Sequence, residues 1–189
     1  HFFNLQSLLA LLDQHKEDTA PQEIPHEPDL SRLELVRILA GTQSSSRLRL
    51  QGLNLQGVDL SRLDLTSVNL KFSNLEHCDL TDADLTGACL DSCNLQHSKL
   101  INTCLNLTSL RDASLANSVM CGAQLEQVKA NNADLSGTML VRANLSRADL
   151  TNANLRNANV AGANFNMVQL SGACLDGVDT TSWSRKSMR

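Results

Sequence analysis

His77 and His97, with Cys78 and Cys93 close by, are residue types that hold zinc, and they are the first candidates for chemistry in this chain. Asp59, Asp64, Asp79 and Asp84 follow, the kind of carboxylates from which paired general acids and bases are drawn. Cysteines stand at 78, 89, 93, 104, 121 and 174, and none forms a C-x-x-C pair. A chain of 189 residues needs no disulfide framework, so these thiols point to a reduced, intracellular compartment, cytoplasmic or nuclear. No glycine-rich phosphate loop is present. Whether any of these groups converge depends on the elements that carry them.

Those elements are set by a period of five. From Leu50 to Leu175 every fifth residue is apolar, 26 positions of which 22 are Leu, without insertion or deletion. Met120, Ala130, Val160 and Phe165 are the four exceptions. Two residues before each centre the side chain is mostly small or β-branched, as at Val58, Cys78, Ala83, Ala88, Cys93, Ser98 and Thr103. One residue before it Asn or Asp dominates, as at Asn54, Asp59, Asp64, Asn69 and Asn74. Eight of the nine glycines fall two residues after a centre, and all three prolines lie outside the repeats.

No straight element buries such a pattern. Along a strand residues five apart point to opposite faces, and around a helix they smear about the axis. The leucines share one interior only if the chain turns a corner once per repeat, with three extended residues between corners. Gly, Asn and Asp suit the corners. The expected product is an all-β solenoid whose interior is too narrow for bulky rings, which fits an aromatic content of 3%. Such an interior has no pocket in which a nucleophile and a base could meet, so the chain is expected not to be an enzyme and to need no cofactor.

The segments ADLTGACL (83–90) and ANLSRADLTNANLRNANVAGANF (143–165) resemble the pentapeptide-repeat family, and the resemblance spans residues 47–179. It implies a right-handed quadrilateral β-helix with four pentads per coil, so that residues twenty apart stack. Six to seven coils would make a rod ~30 Å long.

Before the repeats, residues 1–14 carry Leu5, Leu8, Leu9 and Leu12 on one helical stripe. Residues 15–29 are polar, acidic and hold every proline, the marks of a linker. Within 30–46, Ser31 and Glu34 form an S-x-x-E capping box ahead of Leu33, Val36 and Leu39, and Gly41 closes the segment, predicting a short helix over 31–40. Its expected task is to cover the open N-terminal end of the solenoid. Residues 180–189 form a polar tail in which Trp183 is expected to fold over the last coil. The chain begins at His1 rather than Met, so an upstream segment is expected, and residues 1–15 lack the basic start and cleavage site of a signal peptide. No apolar run approaches the roughly 18 residues that span a bilayer. FFNLQSLLALLD resembles the last helix of a BTB domain of the potassium-channel tetramerisation-domain (KCTD) family. The order of helix, linker, short helix and pentapeptide repeats resembles the animal members that join a BTB domain to such repeats. That family implies an oligomeric substrate adaptor for cullin-3 ubiquitin ligases, with cullin-3 bound through a BTB domain upstream of this sequence.

With residues twenty apart stacked, the chemistry can be weighed. His77 and His97 fall on one corner, but Cys78 and Cys93 occupy the inward small-residue slot, where a thiol acts as a small hydrophobe, so no metal site is expected. Asp59 stacks on Asp79 and Asp64 on Asp84, yet these columns continue as Lys99, Cys104 and Gln124. Residues 47–179 hold ten Lys and Arg against thirteen Asp and Glu, and the whole chain carries −4, too mild a balance for a DNA mimic or a nucleic-acid binder. Arg111, Lys129, Arg142, Arg147 and Arg156 are spread over different columns. One face departs from this polar surface. Outside Leu100, Met120 and Leu140 the outward slots hold Ile101, Val119, Cys121, Met139 and Val141, an expected apolar patch and the candidate partner-binding site. Phe72, Leu107 and Met167 point outward singly. The sequence thus predicts a protein–protein interaction module that presents a client to a cullin-3 ligase as a homo-oligomer. A stand-alone inhibitor or DNA mimic, and a structural spacer, are the alternatives.

Overall fold

Each leucine centre is followed by a reversal of the chain, and this corner makes the period of five a solenoid. The computed structural model describes residues 27–41 and 48–180. At every corner but the first, where Leu53 N–H donates to Ser73 Oγ (3.2 Å), the centre's carbonyl accepts a hydrogen bond from the backbone N–H three residues on, as from Val58 to Leu55 (3.1 Å) and from Ala113 to Leu110 (3.2 Å). The second turn residue has φ between 55° and 74° at every corner from residue 52 to residue 177, the first does not, and this is the signature of a type II turn. Eight corners use Gly there and eighteen do not; Phe72, Leu107 and Met167 are held in the left-handed region alongside Asn, Asp, Ser, His, Gln and Arg.

Between corners run three extended residues, pointing inward, outward and inward. Parallel bridges join each outward residue to the one twenty residues later, from Arg49–Asn69 through Asn154–Cys174, so a coil contains four pentads. Leu50 N–H donates to Asn69 O (2.7 Å) and Asn69 N–H to Leu48 O (3.0 Å), while at the corner Gly52 N–H donates to Lys71 O (2.9 Å). Each side is so short that pairing takes the form of isolated bridges among the described residues rather than the continuous strands implied by an all-β label.

The slot before each centre favours Asn and Asp because its Oδ1 accepts the backbone N–H two residues on, inside the turn. Ser61 N–H donates to Asp59 (2.9 Å), Thr66 N–H to Asp64 (3.0 Å) and Gln96 N–H to Asn94 (3.2 Å). Inside, the leucines from Leu55 to Leu115 are sealed from solvent, and the small slot beside them interdigitates. Apart from Ser118, the buried hydroxyls and thiols there find main-chain acceptors: Ser73, Thr103 and Thr108 donate to the carbonyls of Leu50, Leu80 and Leu85 in the preceding coil. Leu170 and Leu175, in the last coil, are half-buried.

The N-terminal end is covered by α1, Arg32–Gly41. Its capping box forms: Glu34 Oε2 accepts from Ser31 N–H (2.8 Å) and Ser31 Oγ (2.7 Å). Asp29 occupies the exposed edge of the first coil, donating its N–H to Asn54 O (2.7 Å) and accepting Asn54 N–H at Oδ2 (2.6 Å). Arg32 bridges to Asp59 Oδ1 (2.8 Å) and to the Ser61 carbonyl (2.9 Å). Leu35 is buried, with Ile38 and Leu39 packed on the core, while Leu33 is 58% exposed and Val36 38%. The helix presents the stripe that fits the end of the coil, and the capping box fixes its start without fixing that stripe. The helix expected over 1–14, most of the linker and the Trp183 contact lie outside the described residues.

Candidate partner-binding face

The face through Leu60, Leu80, Leu100, Met120, Leu140 and Val160 carries two outward columns. In the first, bridges run Asp59–Asp79, Asp79–Lys99, Lys99–Val119, Val119–Met139 and Met139–Asn159. The second stacks through backbone bonds: Asp82 N–H to Ile101 O (2.9 Å), Asn102 N–H to Cys121 O (3.0 Å) and Gly122 N–H to Val141 O (2.9 Å). Ile101, Val119, Cys121, Met139 and Val141 therefore lie side by side over three coils. Met139 is 43% exposed and the other four are half-buried.

The five do not form one flat patch. Ile101, Cys121 and Val141 line a shallow depression of about 360 Å³ together with Asn102, Gly122 and Arg142 from the adjoining corner. Val119 and Met139 stand beside it. The corner residues are what the sequence reading missed. Gly122 sits between Asn102 below and Arg142 above, and the Asn102 amide takes the space that a side chain at 122 would fill. A glycine flanked in its own column by larger residues was the available clue.

The remaining candidates do not build a catalytic centre. The His77 and His97 rings stack at 5.1 Å with 16° between their planes, and Glu76 Oε1 lies 3.7 Å from His77 Nε2. Among the described residues no three His, Cys, Asp or Glu side chains come together as metal ligands. Cys78 and Cys93 are buried, and each donates to a main-chain carbonyl, Leu55 O and Leu70 O (2.8 Å each). Burial pushes both thiols up to about 12, which keeps them protonated and unreactive. The acidic columns are engaged locally. The Thr66 hydroxyl and N–H hold the Asp64 carboxyl below its usual value, and Ser61 does the same for Asp59, with Arg32 adding to it. Asp79 faces Lys99 at 3.9 Å. A second depression, about 270 Å³, lies at the N-terminal end between Glu27, Asp29, Leu53, Asn54 and Phe72. Both are open hollows on the outside of the rod. Among the described residues no helix is long and apolar enough to cross a membrane.

The sequence matches the family model described as "Pentapeptide repeats (8 copies)" over residues 46–82, 78–115, 108–147 and 143–179. It is 44% identical over 59 residues to the human BTB/POZ domain-containing protein KCTD9, a stretch that covers 31% of this chain and 15% of that protein. Among solved structures it is similar to HetL of Nostoc sp. strain PCC 7120, a pentapeptide repeat protein involved in heterocyst differentiation regulation. There the identity is 25%, with 79% of this chain and 92% of that chain covered and a TM-score of 0.30. A pentapeptide repeat protein of the Arabidopsis thaliana thylakoid lumen is also similar, with 25% identity, 61% and 74% coverage and a TM-score of 0.42.

Proposed function

The chain belongs to the pentapeptide-repeat family, and from that premise we propose that it is a non-enzymatic protein–protein interaction module, the client-recruiting part of a BTB adaptor for a cullin-3 ubiquitin ligase. The observation that carries the interaction reading is the set of apolar side chains, Ile101, Val119, Cys121, Met139 and Val141, stacked together on one face, whereas the exposed Phe72, Leu107 and Met167 stand apart from one another on the rod. Four pentads per coil support reading the winding as the family's right-handed quadrilateral β-helix. The adaptor role draws on the similarity to KCTD9 and on the BTB-like FFNLQSLLALLD. In this reading a BTB domain outside the sequence described binds cullin-3 inside the cell and self-associates. The client then meets several copies of the face at once, which raises avidity without new contacts.

The test is affinity purification with mass spectrometry of the natural gene product from cells, unaltered and as the Ile101→Lys, Val141→Lys double variant. Recovery of cullin-3 with both, and of a client with the unaltered protein alone, is the expected result. Absence of cullin-3 from both ends the adaptor role, and a client that ignores the double variant ends the assignment of this face.

A further inference from the structure

The corner column beside the apolar face reads Asp82, Asn102, Gly122, Arg142, Gly162 in successive coils. Its polar members are not equally occupied. Asn102 Nδ2 donates to Asp82 Oδ1 (3.3 Å), and the Asn102 amide also leans over Gly122, whose missing Cβ would lie 2.6 Å from its Oδ1. Asp79, at the N-terminal end of the face, is met by Lys99. Arg142 makes no ion pair among the described residues. Its stem packs towards Gly162, where an added Cβ would sit 3.6 Å from its Cγ, while the side chain still forms one wall of the hollow. The hollow therefore joins three apolar side chains, the Asn102 amide over Gly122 and one cation without an ion pair among the described residues. At about 360 Å³ and open to solvent, it is near the lower limit of small-molecule sites and suits a side chain or two better than a cofactor.

We infer that this hollow is a docking notch for an extended segment of a partner protein, in which one bulky aliphatic or aromatic side chain lies over Cys121 between Ile101 and Val141 and a neighbouring Asp or Glu pairs with Arg142. The inference rests on the partner-binding reading of this face and adds the chemistry of the partner. Charge complementarity selects the acid. Arg142 gains a carboxylate partner that no described residue supplies, whereas a basic segment would meet it with like charge. The apolar wall of Ile101, Cys121 and Val141 selects the bulky residue, because only an apolar side chain of that size covers all three.

A random heptapeptide display library panned on the chain tests this, with the recovered peptides measured by fluorescence polarisation. Peptides pairing a large apolar residue with a nearby Asp or Glu are the expected enrichment. Arg142→Glu should weaken them by about tenfold, and replacing the peptide's acid with Lys should restore binding to that variant. Enriched peptides without an acid, or equal binding to Arg142→Glu, overturn the inference. If such peptides still fail on Ile101→Lys, Val141→Lys, the face keeps its partner-binding reading and only the notch chemistry falls. A library with no enrichment, or peptides indifferent to the double variant, ends both.

Discussion

Ser118 points its hydroxyl into the interior, where Oγ has no hydrogen-bond partner, unlike Ser73, Thr103 and Thr108 in equivalent slots. A buried hydroxyl left unpaired keeps its desolvation cost, so Ser118→Ala should stabilise the chain by about 1 kcal/mol, and Ser73→Ala should destabilise it by a similar amount. Urea melts of the two variants read the difference in sign. The buried thiols give a pH test. Cys78 and Cys93 stay protonated to about 12 in the folded chain, whereas unfolded thiols ionise near their ordinary 9.0. Between those values the folded state binds more protons, so their contribution is complete below pH 9 and is lost as pH rises towards 12. The melting temperature should fall across that window, and less so in Cys78→Ala, Cys93→Ala. Ellman's reagent at pH 8 should label Cys89, Cys104, Cys121 and Cys174 in the folded protein and spare these two. The inward slot of Cys78 and Cys93 was legible in the sequence because the frame assigns every residue a direction. The missing partner of Ser118 was not, because it depends on which rotamer reaches a carbonyl in the coil below.

At the scale of elements, α1 separates two leucines that the sequence alone treats alike. Leu35 is 1% exposed against the end of the solenoid and Leu33 is 58% exposed. Leu35→Asp should cost about 3 kcal/mol or more, since it buries a carboxylate and lifts the cover from the first coil; Leu33→Asp should stay within about 0.5 kcal/mol. Thermal melts with light scattering measure both effects, the second because an uncovered end presents unpaired backbone groups to other chains. The capping box of Ser31 and Glu34 announced where this helix starts, but its buried face is set by the surface it covers, which lies twenty or more residues away in sequence. The corners show the same division. The need for a turn every five residues followed from the leucines alone. That Phe72, Leu107 and Met167 would hold left-handed backbone did not, because the inter-coil bonds made from those very corners impose it, such as Phe72 N–H to Asp91 O (3.1 Å) and Leu107 N–H to Glu126 O (3.0 Å).

The whole molecule is a stack in which five residues make a side and twenty make a coil, so fold and surface can be changed separately. Removing one pentad keeps every leucine inward but turns everything downstream by one side. Deleting residues 126–130 brings Asn144 and Ser146 into the places of Met139 and Val141, while Ile101, Val119 and Cys121 keep theirs. Deleting 151–155 removes the same length beyond the patch and leaves it whole. Both variants should melt cooperatively, because inward slots still meet inward slots and nearest-neighbour contacts dominate a solenoid. Only the first should lose the client recovered by the unaltered protein, and with it the wall that Val141 gives the notch, while Arg147 takes the place of Arg142. A loss of at least tenfold in binding with an unchanged far-UV spectrum is the expected result for 126–130. Equal retention by both deletions would place the client on another side, and loss by both would mean that binding reads the length of the rod rather than this face.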